Sequence, residues 1–232
     1  MSRDPKSLVI AIDGPASSGK STTAKRVADQ LGLMYLDTGA MYRAVALKIY
    51  RSGIELTDKA ALTKLLNTTT VTQKNFDGGV HFLLDGEDVT EEIRTPDISL
   101  WVGPVSEHGL VREHLVEWQR EIGKEGGIIA DGRDIGTVVF PKADLKIYLI
   151  ADAHVRAVRR QRELAARGIV QSVEEVEEAI VKRDNRDSTR EHSPLKKAEN
   201  AIELDTTHLT IGDQVDKVLG LIKKVTASAD GK

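Results

Sequence analysis

The stretch Leu8 to Thr23, LVIAIDGPASSGKSTT, constrains the possible fold more than any other part of the chain. Five consecutive apolar residues, Leu8, Val9, Ile10, Ala11 and Ile12, read as a strand buried on both faces, since neither alternating set is polar. The run passes without a spacer into Gly14, Pro15, Ala16, Ser17, Ser18, Gly19, Lys20 and Ser21, the spacing G-x-x-x-x-G-K-S, and a helix opens near Lys20. Glycine is needed at 14 and 19 because the backbone must turn its N–H groups inward around a phosphate, where a Cβ would obstruct the approach or strain φ. The helix start contributes unpaired amide donors and the positive end of its dipole. Lys20 is expected to reach the outer phosphates of a nucleotide and the Ser21 hydroxyl to hold Mg²⁺. Ala24, Val27, Ala28 and Leu31 recur at helical spacing behind the loop, and Gly32 stands where a helix stop belongs.

Strands and helices alternate along most of the remaining chain. Leu33 to Leu36 reads as a second strand ending at Asp37-Thr38-Gly39, and a helix follows from about Ala40 to Tyr50, closed by Ser52-Gly53. Arg43 lies one turn into that helix. In open parallel sheets ligands bind outside the carboxyl ends of the strands, so Thr38 and Arg43 are expected on the side of the phosphate loop. Residues 56 to about 105 change character. A short helix, Lys59 to Leu66, is followed by Val71 to Phe76, Asp77-Gly78-Gly79, Val80 to Leu84 and Asp85-Gly86, which read as a hairpin with a second turn behind it. This small antiparallel piece is an insertion, either a surface ornament or a substrate-gripping arm. A helix from about Ser106 to Ile122 carries Leu115, Trp118 and Ile122 on one stripe and Arg112 near its start. The strand Ile128 to Ala130 then runs into Asp131-Gly132-Arg133-Asp134. A short apolar strand ending in aspartate is the usual partner of a phosphate loop, because its carboxylate can hold a water of the Mg²⁺ shell. Leu145 to Ala151 is a further buried strand.

The basic residues are concentrated after it. His154 to Arg167 reads as a helix bearing Arg156, Arg159, Arg160, Arg162 and Arg167, and Ser172-Val173-Glu174-Glu175 is a capping box for the next one. Arg183, Arg186, Asp187 and Arg190 fall at helical spacing on one face. Such a stripe is ordinarily a solvated face, but arginine forks also suit phosphate oxygens, and two mobile helices bearing them fit a lid that excludes water. A strand, Ala201 to Asp205, and a helix from about Ile211 to Val225 with a Thr210/Asp213 capping box complete the pattern.

Length and charge narrow the class further. With 232 residues the chain suits one α/β domain with insertions. A net charge of −3 leaves no excess of positive charge to drive binding to nucleic acid or an acidic membrane. There is no cysteine, which excludes disulfides and thiolate metal sites. The polar start MSRDPKS lacks a secretory apolar region, and no run approaches the ~18 apolar residues of a membrane span, so a cytoplasmic location is expected.

Taken together, IDGPASSGKST, LDTGAMYR, DGEDVTEEIRT, IADGRDIGTVVFP and KRDNRDSTR resemble the bacterial cytidylate kinases, nucleoside monophosphate kinases of the P-loop fold, over nearly the whole chain. The resemblance implies an α/β fold with a P-loop NTPase-type parallel sheet flanked by helices, a small antiparallel β insertion and a helical lid. A single domain would have its core in residues 1–37, 106–152 and 191–232, its monophosphate-binding segment in 38–105 and its lid in 153–190. It also implies Mg²⁺-dependent transfer of the γ-phosphoryl group of ATP to CMP or dCMP by a monomer. ATP would lie on Gly14, Pro15, Ala16, Ser17, Ser18, Gly19, Lys20, Ser21 and Thr22, with Arg156, Arg159 and Arg160 above it. Thr38, Arg43 and Arg133 would contact the acceptor phosphate, and Arg112 with Asp134 would read the cytosine edge. Arg183 and Asp187 would hold the ribose, and Arg190 would bind phosphate. Lys20, Arg133 and Arg190 would stabilise the transferred group, while Ser21 directly and Asp131 through water would hold the metal. Relatives carry Ser where this chain has Thr38, and offer a Ser to the base where this chain has Gly103-Pro104, leaving Ser99 or Ser106 as replacements. Two other readings of the residues stay open: a P-loop kinase for another small acceptor, and a nucleotide-binding switch module, although the guanine-reading N/T-K-x-D motif is missing.

Overall fold

The structure of the protein, a computed structural model, describes residues 3–76 and 79–227. The chain forms two compact units, Met1–Leu36 with Gly123–Lys232, and Asp37–Ile122.

Among the described residues the first unit contains a five-stranded sheet in the order β2 (Met34–Asp37), β6 (Ile128–Gly132), β1 (Val9–Asp13), β7 (Leu145–Ile150) and β8 (Ile202–Asp205). β1 is central and runs parallel to both β6 and β7. Its backbone is paired on both sides and its two faces are covered, so Ile10, Ala11 and Ile12 have no exposed surface, which is why the strand reads as a continuous apolar run. The register sets Ile12 beside Asp131 and Asp13 beside Gly132. The loop that leaves β1 and the turn that leaves β6 therefore start side by side at the carboxyl edge of the sheet.

Helix α1 (Lys20–Leu31) is entered through Gly19 and left through Gly32, both with positive φ, and it packs against β6 and against α8 (Ile211–Ala227). The Thr210/Asp213 box at the start of α8 is reciprocal: the Thr210 amide donates to Asp213 Oδ2 (2.9 Å) and the Asp213 amide to Thr210 Oγ1 (3.2 Å). Val215, Val218 and Ile222 on α8 are buried, each contributing about 1.5–3 kcal/mol if fully removed from water. Helices α6 (Ala153–Ala165) and α7 (Val173–Thr189) form a hairpin around Ala157, Val176 and Ile180. Ser172 caps α7, and both bonds of its box with Glu175 are made (3.1 and 2.8 Å). A single π-turn, Ile135–Val139, follows β6, where the sequence pattern carries no helical signal.

The second unit opens with α2 (Thr38–Ser52), capped by the Asp37 carboxylate on the Ala40 amide (2.9 Å) and ended by Gly53. After α3 (Lys59–Asn67) come β3 (Val71–Phe76), β4 (Gly79–Leu84) and β5 (Glu87–Asp88), an antiparallel sheet. The turn expected at Asp77-Gly78 lies outside the described residues. The second turn is present, with φ positive at both Asp85 (52°) and Gly86 (91°), as a tight two-residue hairpin requires.

Three expectations are corrected here. The helix expected from about Ser106 to Ile122 begins at Gly109 as α5 (Gly109–Ile122), and a further helix, α4 (Pro96–Glu107), precedes it where none is expected. Thr95-Pro96, an N-cap followed by proline in the first turn, is the start signal of α4. Pro104 lies inside that helix near its end, where burial of Ile98, Val102 and Val105 and packing on α2 outweigh one lost amide donor. The apolar stripe of α5 also differs: Val111, Leu115 and Val116 are buried, while Ile122 is exposed and Trp118 is only partly buried, its ring tilted at 59° against that of His114. The whole of α5, expected in the core segment 106–152, belongs to the second unit. No helix among the described residues is long and apolar enough to cross a membrane.

Candidate active site

The loop from Gly14 to Gly19 is shaped by what surrounds it. A Cβ at Gly14 would stand 2.2 Å from the Leu149 carbonyl oxygen on β7, and one at Gly19 would stand 2.5 Å from Gln214 Oε1 on α8. Both residues also have positive φ, 147° and 96°, so glycine is required twice over. The loop carbonyls are turned outward onto donors of the protein itself. Pro15 O accepts from Lys20 Nζ (2.6 Å), Ala16 O from Arg156 Nη1 (3.1 Å), Ser18 O from Thr206 Oγ1 (2.9 Å) and Gly19 O from the Thr23 amide (3.0 Å). Orienting carbonyls away is what allows successive amides to form a concave anion nest. Thr23 Oγ1 in turn donates to Gln214 Oε1 (2.9 Å), tying the loop end to α8.

Lys20 is buried and sits 3.4 Å from Ser18 Oγ. Burial, and next the neighbouring Arg133 and Arg183, pull its ammonium well below the usual lysine range against the opposing pull of Asp131 and Asp13. An electropositive nest of this kind favours an anion.

Beside it, Ser21 Oγ donates to Asp131 Oδ2 (2.8 Å), while the Tyr35 hydroxyl on β2 donates to Oδ1 (2.7 Å). The Ser21 proton is thereby committed to Asp131, which leaves the oxygen's lone pairs to act as acceptors or ligands. Among the described residues no group of three or more His, Asp or Glu side chains could hold a metal by itself. Ser21 and Asp131 instead offer a small set of oxygen donors, which fits Mg²⁺ completing its shell with substrate phosphates and water. Asp13, the residue before the loop, accepts from the Ile135 and Gly136 amides (2.8 and 2.7 Å) and so pins the turn that carries Arg133 and Asp134. Burial pushes its carboxyl up to about 6, in spite of those two amides.

The basic residues assemble around aspartates. Arg133 Nε donates to Asp187 Oδ2 (2.8 Å), Arg183 Nε lies 3.9 Å from the same oxygen, and Arg190 Nη2 is 3.6 Å from Asp134 Oδ1. Burial works to raise the Asp187 carboxyl, but Arg133, Arg183 and Arg190 hold it below its ordinary value. The stripe expected on α7 is not a single helical face. Arg190 is the cap residue with extended ψ (146°), its guanidinium donates to the Ser193 carbonyl, and Arg186 is exposed. The chain leaves the helix because the Asp187 carbonyl takes the Leu195 amide (2.7 Å) from the following segment. Arg156 reaches the phosphate loop through Ala16, and Arg159 donates to the carbonyl of Thr206, the residue that supports Ser18. Arg160 ion-pairs with Glu163 at 3.0 Å on the exposed side of α6. Residues that sequence reasoning missed are Asp13, Tyr35, Thr206, Gln214 and Asp184, whose Oδ1 accepts the Ala16 amide (3.1 Å). All five come from outside the glycine-rich pattern; only Asp13 and Asp184 lie within motifs already singled out.

In the second unit Thr38 is buried at the first position of α2. Arg43 Nη1 donates to Ile93 O (3.2 Å) and Ser99 Oγ (2.9 Å). Arg112 is buried, donates to Ser106 O (2.9 Å) and lies with its guanidinium 5.2 Å from the Tyr42 ring centre. The Ser106 hydroxyl donates to Gly103 O (2.9 Å).

With this geometry in place, a protein-family model described as "Cytidylate kinase" matches residues 10–224. The chain belongs to the cytidylate kinase family. Relatives named cytidylate kinase include one from Caldicellulosiruptor bescii, 49% identical with 95% of this chain and 97% of that protein covered. Another, from Carboxydothermus hydrogenoformans, is 51% identical with 92% and 96% covered. Membership in the cytidylate kinase family makes the chain a nucleoside monophosphate kinase, a transferase. A solved gluconokinase from Sinorhizobium meliloti 1021 is similar in fold, with a TM-score of 0.50 over 97% of this chain and 96% of that one at 12% identity. That likeness shows a shared fold and nothing more specific.

Proposed function

We propose that this cytidylate kinase transfers the γ-phosphoryl group of ATP to CMP or dCMP with the residues assigned below. The family match carries the reaction; the bond between Ser21 and Asp131 beside the outward-turned carbonyls of the loop carries the donor site. The loop from Gly14 to Thr22 wraps the donor phosphates through its amides, Pro15 and Ala16 excepted, since Pro15 has no N–H and Asp184 accepts the Ala16 amide, and Lys20 lies against their negative charge. A polyphosphate in the loop returns the depressed Lys20 ammonium toward its ordinary value, so the cation and the anion stabilise each other. Ser21 holds Mg²⁺ directly and Asp131 holds it through water, and the ion neutralises phosphate charge. Arg156 and Arg159 shape the donor side, with Arg160 from the same helix.

No protein nucleophile is needed, because an oxygen of the acceptor phosphate attacks the γ-phosphoryl group in line. Arg133 and Arg190 stabilise the charge on the transferred group, each held in place by an aspartate, Asp187 and Asp134. On the acceptor nucleotide, Arg183 and Asp187 take the ribose, Thr38 and Arg43 the phosphate, and Arg112 with Asp134 the cytosine. The chemistry of the base agrees: its exocyclic amine suits a carboxylate and its ring acceptors suit a guanidinium. Acting as a cytoplasmic monomer, the enzyme has nucleotides as its only partners in this reading, consistent with a net charge of −3.

A coupled ADP-release assay across the nucleoside monophosphates tests the proposal. CMP and dCMP should turn over far faster than AMP or UMP, and Lys20→Ala should lower kcat by about 10²-fold or more with the fold retained. Preference for another monophosphate would defeat the acceptor assignment, and near-normal turnover of the variant would remove Lys20 from the chemistry.

A further inference from the structure

We infer, resting on the kinase reading above, that Asp184 is a positioning residue of the donor site: together with Arg156 it clamps the Ala16 peptide and so sets the shape of the first half of the phosphate loop. Asp184 lies on α7, one turn before Asp187. Its Oδ1 accepts the Ala16 amide (3.1 Å) and its Oδ2 pairs with Arg156 Nη1, which also donates to the Ala16 carbonyl (3.1 Å). One peptide unit is thus gripped at its N–H by an acid and at its C=O by the base that pairs with that acid. Arg156 is fixed independently, since it is buried and its Nε donates to the Ala151 carbonyl (3.0 Å).

The clamp falls where the loop has least support of its own. Pro15 brings no N–H, and Ser17 has φ 59°, the left-handed region in which a residue with a Cβ is strained. Such a conformation persists only where its surroundings over-determine it. Orienting the Ala16 peptide fixes the direction in which Ser17 and Ser18 leave it, and hence the amides that follow. A carboxylate beside a polyphosphate site would repel the ligand if left bare. Direct pairing with a buried guanidinium offsets that charge, so the clamp is neutral as a unit. Asp184 also joins α7 to the loop through side chains, next to Arg183 and one turn before Asp187, the residues assigned to the ribose.

Steady-state kinetics with ATP and CMP varied independently test the inference. Removing a hydrogen bond to a charged partner and leaving Arg156 uncompensated should raise the KM for ATP about ten-fold in Asp184→Ala, with kcat falling less and the KM for CMP within about two-fold of the parent enzyme. Asp184→Asn keeps one oxygen to accept the Ala16 amide and loses the charge and the acceptor for Arg156, so its KM for ATP should lie between the two, raised about three-fold. A fall in KM for ATP would mean that the carboxylate competes with phosphate, and equal rises for ATP and CMP would mean a general structural role; either overturns the inference. An unchanged KM for ATP in folded Asp184→Ala does the same. Should that variant fail to fold, Asp184→Asn decides alone: a donor-only rise supports the clamp and an unchanged value removes it. If the parent enzyme prefers an acceptor other than CMP, the functional reading fails separately, and the donor-against-acceptor split is measured with that acceptor instead.

Discussion

Tyr35 shows how a residue outside any motif sharpens one inside it. Asp131 has one oxygen engaged by Ser21 and the other by the Tyr35 hydroxyl at 2.7 Å, so its carboxylate plane is fixed from two elements, α1 and β2. The tyrosine bond opposes rotation of the carboxylate away from Ser21. Tyr35→Phe removes one oxygen and leaves the packing, so it should retain the fold. It should raise the Mg²⁺ concentration needed for half-maximal tightening of ADP binding several-fold, in line with the ~10-fold or greater cost of losing a metal's outer partners. Calorimetric titration of ADP at graded Mg²⁺ reads this without turnover. An unchanged Mg²⁺ dependence would show that the Tyr35 bond does not orient Asp131. Glycine works by exclusion at the same scale: the Leu149 carbonyl beside Gly14 leaves no room for a Cβ, whatever the backbone angle.

At the scale of elements, the ends of strands and helices carry the chemistry. Parallel pairing of β1 with β6 in register delivers Asp13 and Gly132 side by side, and the two amides bonded to Asp13 hold the turn after β6 against the loop after β1. The α6–α7 hairpin depends more on its caps, because its own apolar core is small: Ala157, Val176 and Ile180, with Leu164 and Val173 partly buried around them. Ser172→Ala breaks half of a complete capping box and should cost about 1 kcal/mol, concentrated locally. Hydrogen exchange should show faster exchange in the first turns of α7 while β1 and β6 keep their protection. Uniform loss across the molecule would mean that the hairpin unfolds only with the whole. Because α7 carries Asp184 and Asp187, the same variant gives a mild rise in KM for both nucleotides.

For the whole molecule, buried charge sets a pH dependence opposite to the ordinary one. Asp13 is pushed up to about 6 in the folded protein from 3.8, so between those values the folded state binds more protons than the unfolded state, and stability falls as pH rises from about 4 to 6 and then levels. The loss is at most about 3 kcal/mol. Carboxyls held low, Asp187 and Asp88 (about 2) among them, add stability that disappears only as pH drops below about 4, so they do not mask the trend. His154, raised by its bond to Glu177, acts above its ordinary 6.5. Urea midpoints between pH 4 and 6.5 should therefore decline in the parent protein and run nearly flat in Asp13→Asn; equal slopes would assign the ionisation to another group. Much of this architecture is legible in one dimension. The apolar run of β1, the glycine spacing, Gly32 and Gly53 as helix stops and the Ser172 and Thr210 boxes are local signals, because each depends on neighbours within four residues. Helix α4 escaped because Gly103 and Pro104 are poor helix formers, whereas burial against α2 tolerates them. The sequence alone determined that a phosphate-binding strand, loop and helix exist and which arginines stand in the family's motifs. Only tertiary structure decided that Asp184, Thr206 and Gln214 hold the loop and that Arg190 leaves the helix, since those outcomes depend on chain segments brought together from 100 or more residues away or on a carbonyl claimed by the segment beyond. Hydrogen-bond partners chosen by packing leave no periodic trace along the chain.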